Sequence, residues 1–163
     1  MKRVLYLIIF LIFLYYSCGY RDKLSFNRES FTNKNLRIDG IYYSKPNFAH
    51  FFLYENGVLY DGGVRFNGSF NDLIEYYNNS DNYKNAYILP YNWGIYKVDN
   101  NKIIIEKWLS SDEFGGYSRV NFHGDIINDT TLIINHPAKM IGRDTFYFHK
   151  FYSKPDSINK FIK

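Results

Sequence analysis

The 163-residue sequence contains only one cysteine, Cys18, which therefore has no disulfide partner within the chain. Any folded domain must be held together by an apolar core without covalent cross-links. A chain of about 150 residues buries roughly two-thirds of the surface that its unfolded state exposes, so a core of this kind is attainable. We therefore expect a single domain stabilised by packing alone.

The sequence also lacks a dense cluster of basic residues. It has 20 Lys and Arg against 16 Asp and Glu, and two of the basic residues, Lys2 and Arg3, precede an apolar run at the N-terminus. Proteins that bind nucleic acid usually neutralise several phosphates with a concentrated basic surface. The composition therefore predicts no nucleic-acid partner.

Signatures of catalysis are missing as well. No serine lies in a nucleophile elbow, and no glycine-rich loop opens a helix to bind phosphate. The acidic residues Asp112 and Glu113 are adjacent, and Asp129, close to Asp125, falls in a predicted turn, so neither pair matches two carboxylates held across a substrate. The histidines show no close ligand spacing. We predict no enzymatic activity, no cofactor and no metal site.

The first 17 residues form a distinct apolar leader. Lys2 and Arg3 are followed by the apolar run Val4–Tyr16 and then by Ser17. A basic start, an apolar stretch and a small residue are typical of a secretory signal peptide. The run is shorter than the about 20 residues that a membrane-spanning helix needs. We expect residues 1–17 to be a signal peptide.

The residues Tyr15-Tyr16-Ser17-Cys18 resemble the lipobox of bacterial lipoproteins, although Tyr15 stands where an aliphatic residue is usual. The resemblance implies that Cys18 is acylated on its thiol and becomes the new N-terminus. Two or three acyl chains are enough for stable membrane attachment. Gly19 does not resemble the Asp linked with inner-membrane retention, which favours the outer membrane of a cell envelope. The alternative is an incidental cysteine after an ordinary signal peptide.

The remaining sequence favours strands, because it is rich in aromatic residues, with 17 Tyr and 15 Phe. Residues 18–35 are polar and are predicted to be a flexible tether. Asn56-Gly57 predicts a first hairpin and Asp99-Asn100-Asn101 a second. The spacing in Ser69–Ala86 predicts one short helix, which Asn78–Asn82 should end in a loop.

Residues 36–153 thus contain about eight or nine short strands, and residues 154–163 are predicted to form a loose tail. Successive hairpins of this kind must avoid exposed sheet edges, and closing the sheet achieves this. We predict an all-β, antiparallel up-and-down barrel with one short helical insertion.

Three segments resemble the lipocalin-like (calycin) barrels found among small bacterial lipoproteins. They are Gly40-Ile41-Tyr42, with Tyr42 in place of the usual Trp, then Trp93-Gly94-Ile95-Tyr96, and the strand–turn–strand Gly124–Asn135. The resemblance spans residues 36–152 and implies a barrel. It carries over no ligand specificity, because no ligand residue matches a family pattern.

One predicted strand, Tyr117–His123, alternates between polar and apolar residues. Val120 and Phe122 share one face. Its other face is polar. If this face lines the barrel interior together with His50 and Tyr54, the interior would suit a polar or amphipathic ligand. If the face points to water, it is the ordinary solvated half of a strand. The polar residues are Tyr117, Arg119, Asn121 and His123.

These observations predict a membrane-anchored, non-catalytic lipoprotein of the cell envelope whose barrel binds a small apolar or amphipathic ligand. The alternative is a structural or interaction lipoprotein whose barrel is filled by its own side chains and docks another envelope protein. Small barrels are often filled in this way.

Overall fold

A computed structural model describes residues 23–32, 35–46, 48–62, 69–110, 116–137 and 142–162. The predicted signal peptide and Cys18 lie outside these residues, so signal cleavage and acylation stay predictions. Within the described ranges, no helix is both long enough and apolar enough to cross a membrane.

Eight antiparallel strands form a closed barrel, in which each strand pairs with the next and the last pairs with the first. This confirms the predicted all-β up-and-down barrel. The strands are β1 (Gly40–Ser44), β2 (Ala49–Leu53), β3 (Val58–Tyr60), β4 (Trp93–Asp99), β5 (Lys102–Ser110), β6 (Tyr117–Asn128), β7 (Thr131–Asn135) and β8 (Arg143–Lys150).

Both predicted hairpin turns are confirmed. Gly57 has a φ of +77°, and a side chain there would come within 2.3 Å of the Glu29 carbonyl oxygen, so only glycine fits. Asn100 adopts a φ of +54°, which asparagine tolerates better than most residues. The turn chemistry of the sequence therefore sets the register of β2 with β3 and of β4 with β5.

Two helices, α1 (Phe70–Asn78) and α2 (Ser80–Tyr87), lie between β3 and β4, and a short 3₁₀ turn, Pro90–Asn92, precedes β4. The predicted helix is confirmed as α1, which begins at a capping box formed by Ser69 and Asp72. The predicted loop after it is wrong. Asn79 ends α1, and its side chain accepts a hydrogen bond from the Asp81 backbone at 3.0 Å, which starts α2 at once.

Every strand contributes apolar side chains to an inner core in the barrel interior. Successive side chains of a strand point to opposite faces, so alternate residues point inward. The buried members of the inner core are Leu36, Tyr42, Phe51, Leu53, Leu59, Tyr96, Ile103, Ile105, Ile126, Leu132, Ile134 and Phe146.

The outward faces of β1 to β5 carry a second apolar layer, here called the outer cluster. The helices and the segments before β1 and after β8 cover this layer, so much of these five strands is buried on both faces. The buried members of the outer cluster are Ile41, Tyr43, Phe52, Tyr54, Val58, Tyr60, Leu73, Tyr77, Trp93, Ile95, Trp108, Phe151 and Ile162.

The described part of the predicted tether lies against the barrel wall. Glu106 of β5 is fully buried and accepts hydrogen bonds from the Ser25 backbone at 2.7 Å, the Ser25 hydroxyl at 2.5 Å and the Phe26 backbone at 2.9 Å. A buried carboxylate needs such donors, because burial without them is costly. The expectation of a flexible tether is therefore wrong for residues 23–32.

The C-terminal segment is also packed, contrary to the predicted loose tail. It has no strand or helix between Lys154 and Ile162, but Ile162 is only 6% exposed within the outer cluster. The Lys154 ammonium group donates to the carbonyl oxygens of Ile38 at 2.7 Å and Leu53 at 2.5 Å. These contacts attach the segment to the barrel. They join residues far apart in the sequence, so the hydrophobic periodicity of the segment does not predict them.

Candidate ligand-binding cavity

The two ends of the barrel differ. At one end, here called the closed end, the segment before β1 covers the interior. Leu36 is buried there, the Arg37 backbone N–H donates to the Asp129 carbonyl oxygen at 3.0 Å, and the Tyr42 hydroxyl donates to the Arg37 carbonyl oxygen at 2.9 Å. These contacts join the start of the domain to the β6–β7 turn.

The opposite end, here called the mouth, opens into a cavity of about 320 Å³. The mouth lies where β3, β5 and β7 end and where β2, β6 and β8 begin. Its volume is at the lower end of the range of about 300–1,000 Å³ that is typical of small-molecule sites. The apolar lining consists of Ala49, Phe51, Leu59, Ile105, Leu109, Phe122, Ile134, Pro137 and Phe146.

Lys107 and Asp61 form an ion pair at this cavity. Lys107 has the same strand parity as Ile105, which directs its side chain into the barrel, and Asp61 directly follows β3. The Lys107 side chain is 11% exposed, and burial lowers its pKa to about 7. The Asp61 carboxylate acts in the opposite direction by favouring the charged ammonium form. The pair thus places one donor group and one acceptor group beside an apolar wall.

His50 borders the cavity from β2. It is 3% exposed, and its Nε2 lies 2.7 Å from the Tyr77 hydroxyl of α1. Burial lowers the pKa of His50 to about 4, so the imidazole is neutral at neutral pH. His50 therefore connects the cavity rim to the helical cover without adding a charge.

His136 completes the polar part of the lining. Its Nε2 lies 3.0 Å from Oδ2 of Asp144, the second residue of β8. Each of the four polar lining residues thus has a partner within the protein, because His50 contacts Tyr77 and Lys107 pairs with Asp61. Among the described residues, no group of three or more His, Cys, Asp or Glu side chains could hold a metal ion. The arrangement is chemically suited to holding an amphipathic molecule.

The predicted polar face of β6 points away from the cavity. Its alternation is confirmed, but Arg119, Asn121 and His123 are exposed on the outside of the barrel, whereas Phe122 points inward. Tyr117 is half-buried on the outside, with its ring centroid 5.8 Å from that of Tyr91. None of these four predicted ligand-lining residues therefore lines the cavity.

Of the two remaining predicted residues, one borders the cavity and one does not. Tyr54 belongs to the outer cluster, and the Lys154 ammonium group lies 4.1 Å from its ring centroid. His50 is attached to the outward face of β2 but reaches the cavity at the strand end. His50 is therefore the one predicted ligand-lining residue that the structure places at the cavity.

Sequence reasoning missed Lys107, although a signal for it exists. Ile103, Ile105, Lys107 and Leu109 alternate along one strand, so the lysine shares the face of two isoleucines that point into the core. No comparable signal exists for Asp61, because β3 is only three residues long and its end is not marked by periodicity.

Comparison with known proteins gives no identification: no protein family, curated protein or solved structure matches the chain. The lipobox and lipocalin-like resemblances therefore remain predictions. The closed eight-stranded barrel and its cavity rest on the structure itself.

Proposed function

We propose that this protein is a lipid-anchored, non-catalytic component of a bacterial cell envelope that binds a small amphipathic ligand in the barrel cavity. The observation that carries the proposal is the cavity of about 320 Å³ at the mouth, with apolar walls and one ion pair. Pockets of this composition, concave and apolar with few polar groups, are the usual form of small-molecule sites.

The ligand's apolar part lies against the aromatic and aliphatic walls, including Phe51, Ile105 and Phe146. Removing apolar surface from water contributes about 25 cal/mol for each Å² buried. The ligand's polar group meets Lys107 and Asp61, which together offer a donor and an acceptor. A polar group that both donates and accepts, such as a hydroxyl, an amide or a zwitterion, suits this pair best.

The non-catalytic part of the proposal is supported by the sequence, in which no serine lies in a nucleophile elbow and no glycine-rich loop opens a helix to bind phosphate. The lipid anchor is supported by Ser17 and Cys18 at the end of the apolar leader. Gly19 after Cys18 favours attachment to the outer membrane. The sequence has no dense basic cluster, which argues against a nucleic-acid partner.

The cavity is tested with a leaderless chain that starts at Gly19. Native mass spectrometry should detect a small molecule that co-purifies, and anilinonaphthalene sulfonate, an amphipathic probe, should bind saturably with enhanced fluorescence. The probe is needed because Trp93 and Trp108 both lie in the outer cluster, where their own emission does not report on the cavity.

A matched pair of variants locates the bound probe. Ala49→Trp fills the cavity from β2, whereas Asn121→Trp adds the same side chain on the exposed face of β6. We expect at least tenfold weaker probe binding for Ala49→Trp, equivalent to about 1.4 kcal/mol, and unchanged binding for Asn121→Trp. Equal binding by both variants would contradict the cavity site. A clean apo mass without probe binding would favour the structural lipoprotein that docks another envelope protein.

A further inference from the structure

The N-terminal segment runs along the outside of the barrel in one direction, from the mouth to the closed end. It begins near the mouth, where Arg119 donates to the Lys23 carbonyl oxygen at 3.2 Å. Arg119 is the register partner of Trp108, which lies two residues before the end of β5 at Ser110. Lys23 is therefore level with the mouth-side part of the wall.

The residues after Lys23 run along the wall towards the closed end. Ser25 and Phe26 are bonded to Glu106, and the Glu29 carboxylate pairs with Lys97 at 2.5 Å. The Phe31 backbone N–H then donates to the Glu55 carbonyl oxygen in the β2–β3 turn at 2.6 Å. Because these contacts hold the segment along the wall, Lys23 is the described residue of this segment that lies nearest the mouth.

The short distance in sequence between Cys18 and Lys23 limits where the anchor can be. Five residues extend at most about 18 Å. Along β5, the six residues from Trp108 back to Lys102 at the closed end span about 20 Å. A fully extended segment is thus about as long as this stretch of β5, whereas the mouth lies only two residues beyond Trp108, so the mouth is the nearer end for Cys18.

Both ends of the barrel carry exposed basic residues. At the closed end, the acidic residues Glu55, Asp99 and Asp129 of the three hairpin turns are accompanied by the exposed lysines Lys102 and Lys150. Anionic lipid surfaces attract Lys and Arg. The exposed basic residues around the mouth are Lys23, Lys45, Arg119 and Arg143.

From this geometry we infer that the mouth of the barrel faces the membrane that holds Cys18, so that the cavity exchanges its ligand with the lipid surface. This inference rests on the proposed acylation of Cys18. It adds an orientation and a source for the ligand, which is an amphipathic molecule that partitions into the bilayer.

Two label sites at opposite ends of β5 test the orientation. Ser110→Cys places a fluorophore at the mouth and Asn101→Cys places one beside the closed end, about 30 Å away along the strand. Both positions are exposed. The full chain, whose Cys18 is blocked by acylation, is reconstituted into phosphatidylethanolamine and phosphatidylglycerol vesicles that contain nitroxide-labelled lipid headgroups. We expect at least twofold stronger quenching of the Ser110→Cys label.

The same experiment separates the orientation from the anchor. With Cys18→Ala added, neither labelled protein should sediment with the vesicles or show quenching. If the acylated chain sediments but the two labels are quenched equally, or the Asn101→Cys label more strongly, the orientation is wrong and the anchor stands. If the chain with Cys18 intact does not sediment and takes up no labelled palmitate, the anchor is wrong and the orientation falls with it.

Discussion

The two halves of the barrel wall share one backbone geometry but differ in what covers them. The outward side chains of β1 to β5, here called the covered wall, are largely apolar and lie beneath the helices and both terminal segments. Those of β6 to β8, here called the bare wall, are mostly polar and largely exposed. Glu106 and Asn121 are register partners on adjacent strands, yet one is fully buried and the other exposed. Outward side-chain chemistry, and not strand pairing, therefore decides where the accessory segments dock.

The largest effect should come from Trp93 in the covered wall. Its ring packs 4.6 Å from that of Tyr60 and 4.8 Å from that of Tyr87, and its indole nitrogen donates to the Tyr87 carbonyl oxygen at 2.9 Å. We expect Trp93→Ala to lower the free energy of unfolding by about 3–5 kcal/mol. The comparison variant is Tyr147→Ala in the bare wall, where the side chain is 52% exposed and the loss should stay within about 0.5 kcal/mol.

Urea denaturation followed by circular dichroism measures both unfolding free energies. Similar losses for Trp93→Ala and Tyr147→Ala would show that the helices and terminal segments contribute little, and the contrast between the two walls would then have no energetic meaning.

A smaller effect should appear in the pH dependence of stability. Burial lowers the pKa of His50 to about 4, whereas the unfolded chain binds this proton near pH 6.5. The stabilisation from neutral His50 is therefore complete above pH 6.5 and declines as the pH falls towards 4. We expect His50 to account for about 2 kcal/mol of lost stability between pH 7.5 and pH 5.

The measurement is the unfolding free energy of the wild type and two variants across this pH range. His50→Gln should flatten the profile, because glutamine does not titrate. His123→Gln, which removes an exposed histidine from the bare wall, should leave the profile unchanged. An unaltered slope in His50→Gln would mean that His50 is not held neutral by burial.

The smallest global effect should follow from removing Glu106, the carboxylate that binds the N-terminal segment. Glu106→Ala leaves the Ser25 and Phe26 backbone N–H groups without their acceptor, and we expect a loss of about 1 kcal/mol in unfolding free energy. The larger change should be local, with at least tenfold faster amide hydrogen exchange at these two residues. Asn121→Ala, the register partner in the bare wall, should change neither quantity. Slow exchange at Ser25 in Glu106→Ala would show that Glu106 does not hold the N-terminal segment against the wall.

The sequence was informative wherever a local pattern determines the structure. Asn56-Gly57 predicted a turn because of its backbone preferences, and the alternation around Phe122 correctly separated the two faces of β6. The alternation alone did not show which face was inside. That depends on closure of the sheet, which directs the apolar face of β6 towards the inner core and leaves Arg119 in solvent.

The candidate cavity was less predictable, because its polar residues meet through long-range contacts. Lys107 and Asp61 are 46 positions apart, and His50 reaches Tyr77 only because α1 covers the outer cluster. The packing of Lys154 against two carbonyl groups is likewise a consequence of the folded arrangement. Periodicity describes one element at a time and therefore does not report such encounters.

The pairing of β1 with β8 also has a consequence for the folding of this protein. Gly40 pairs with Lys150, so the first and last strands must meet across most of the chain before the barrel is complete. Pairing of residues so distant in sequence slows folding, because the entropy of closing the loop is lost before the contacts form. A nascent chain that lacks β8 presents unpaired edges on β1 and β7. We therefore expect closure to be a late event in folding, and we expect a truncation before Arg143 to leave an open, aggregation-prone sheet.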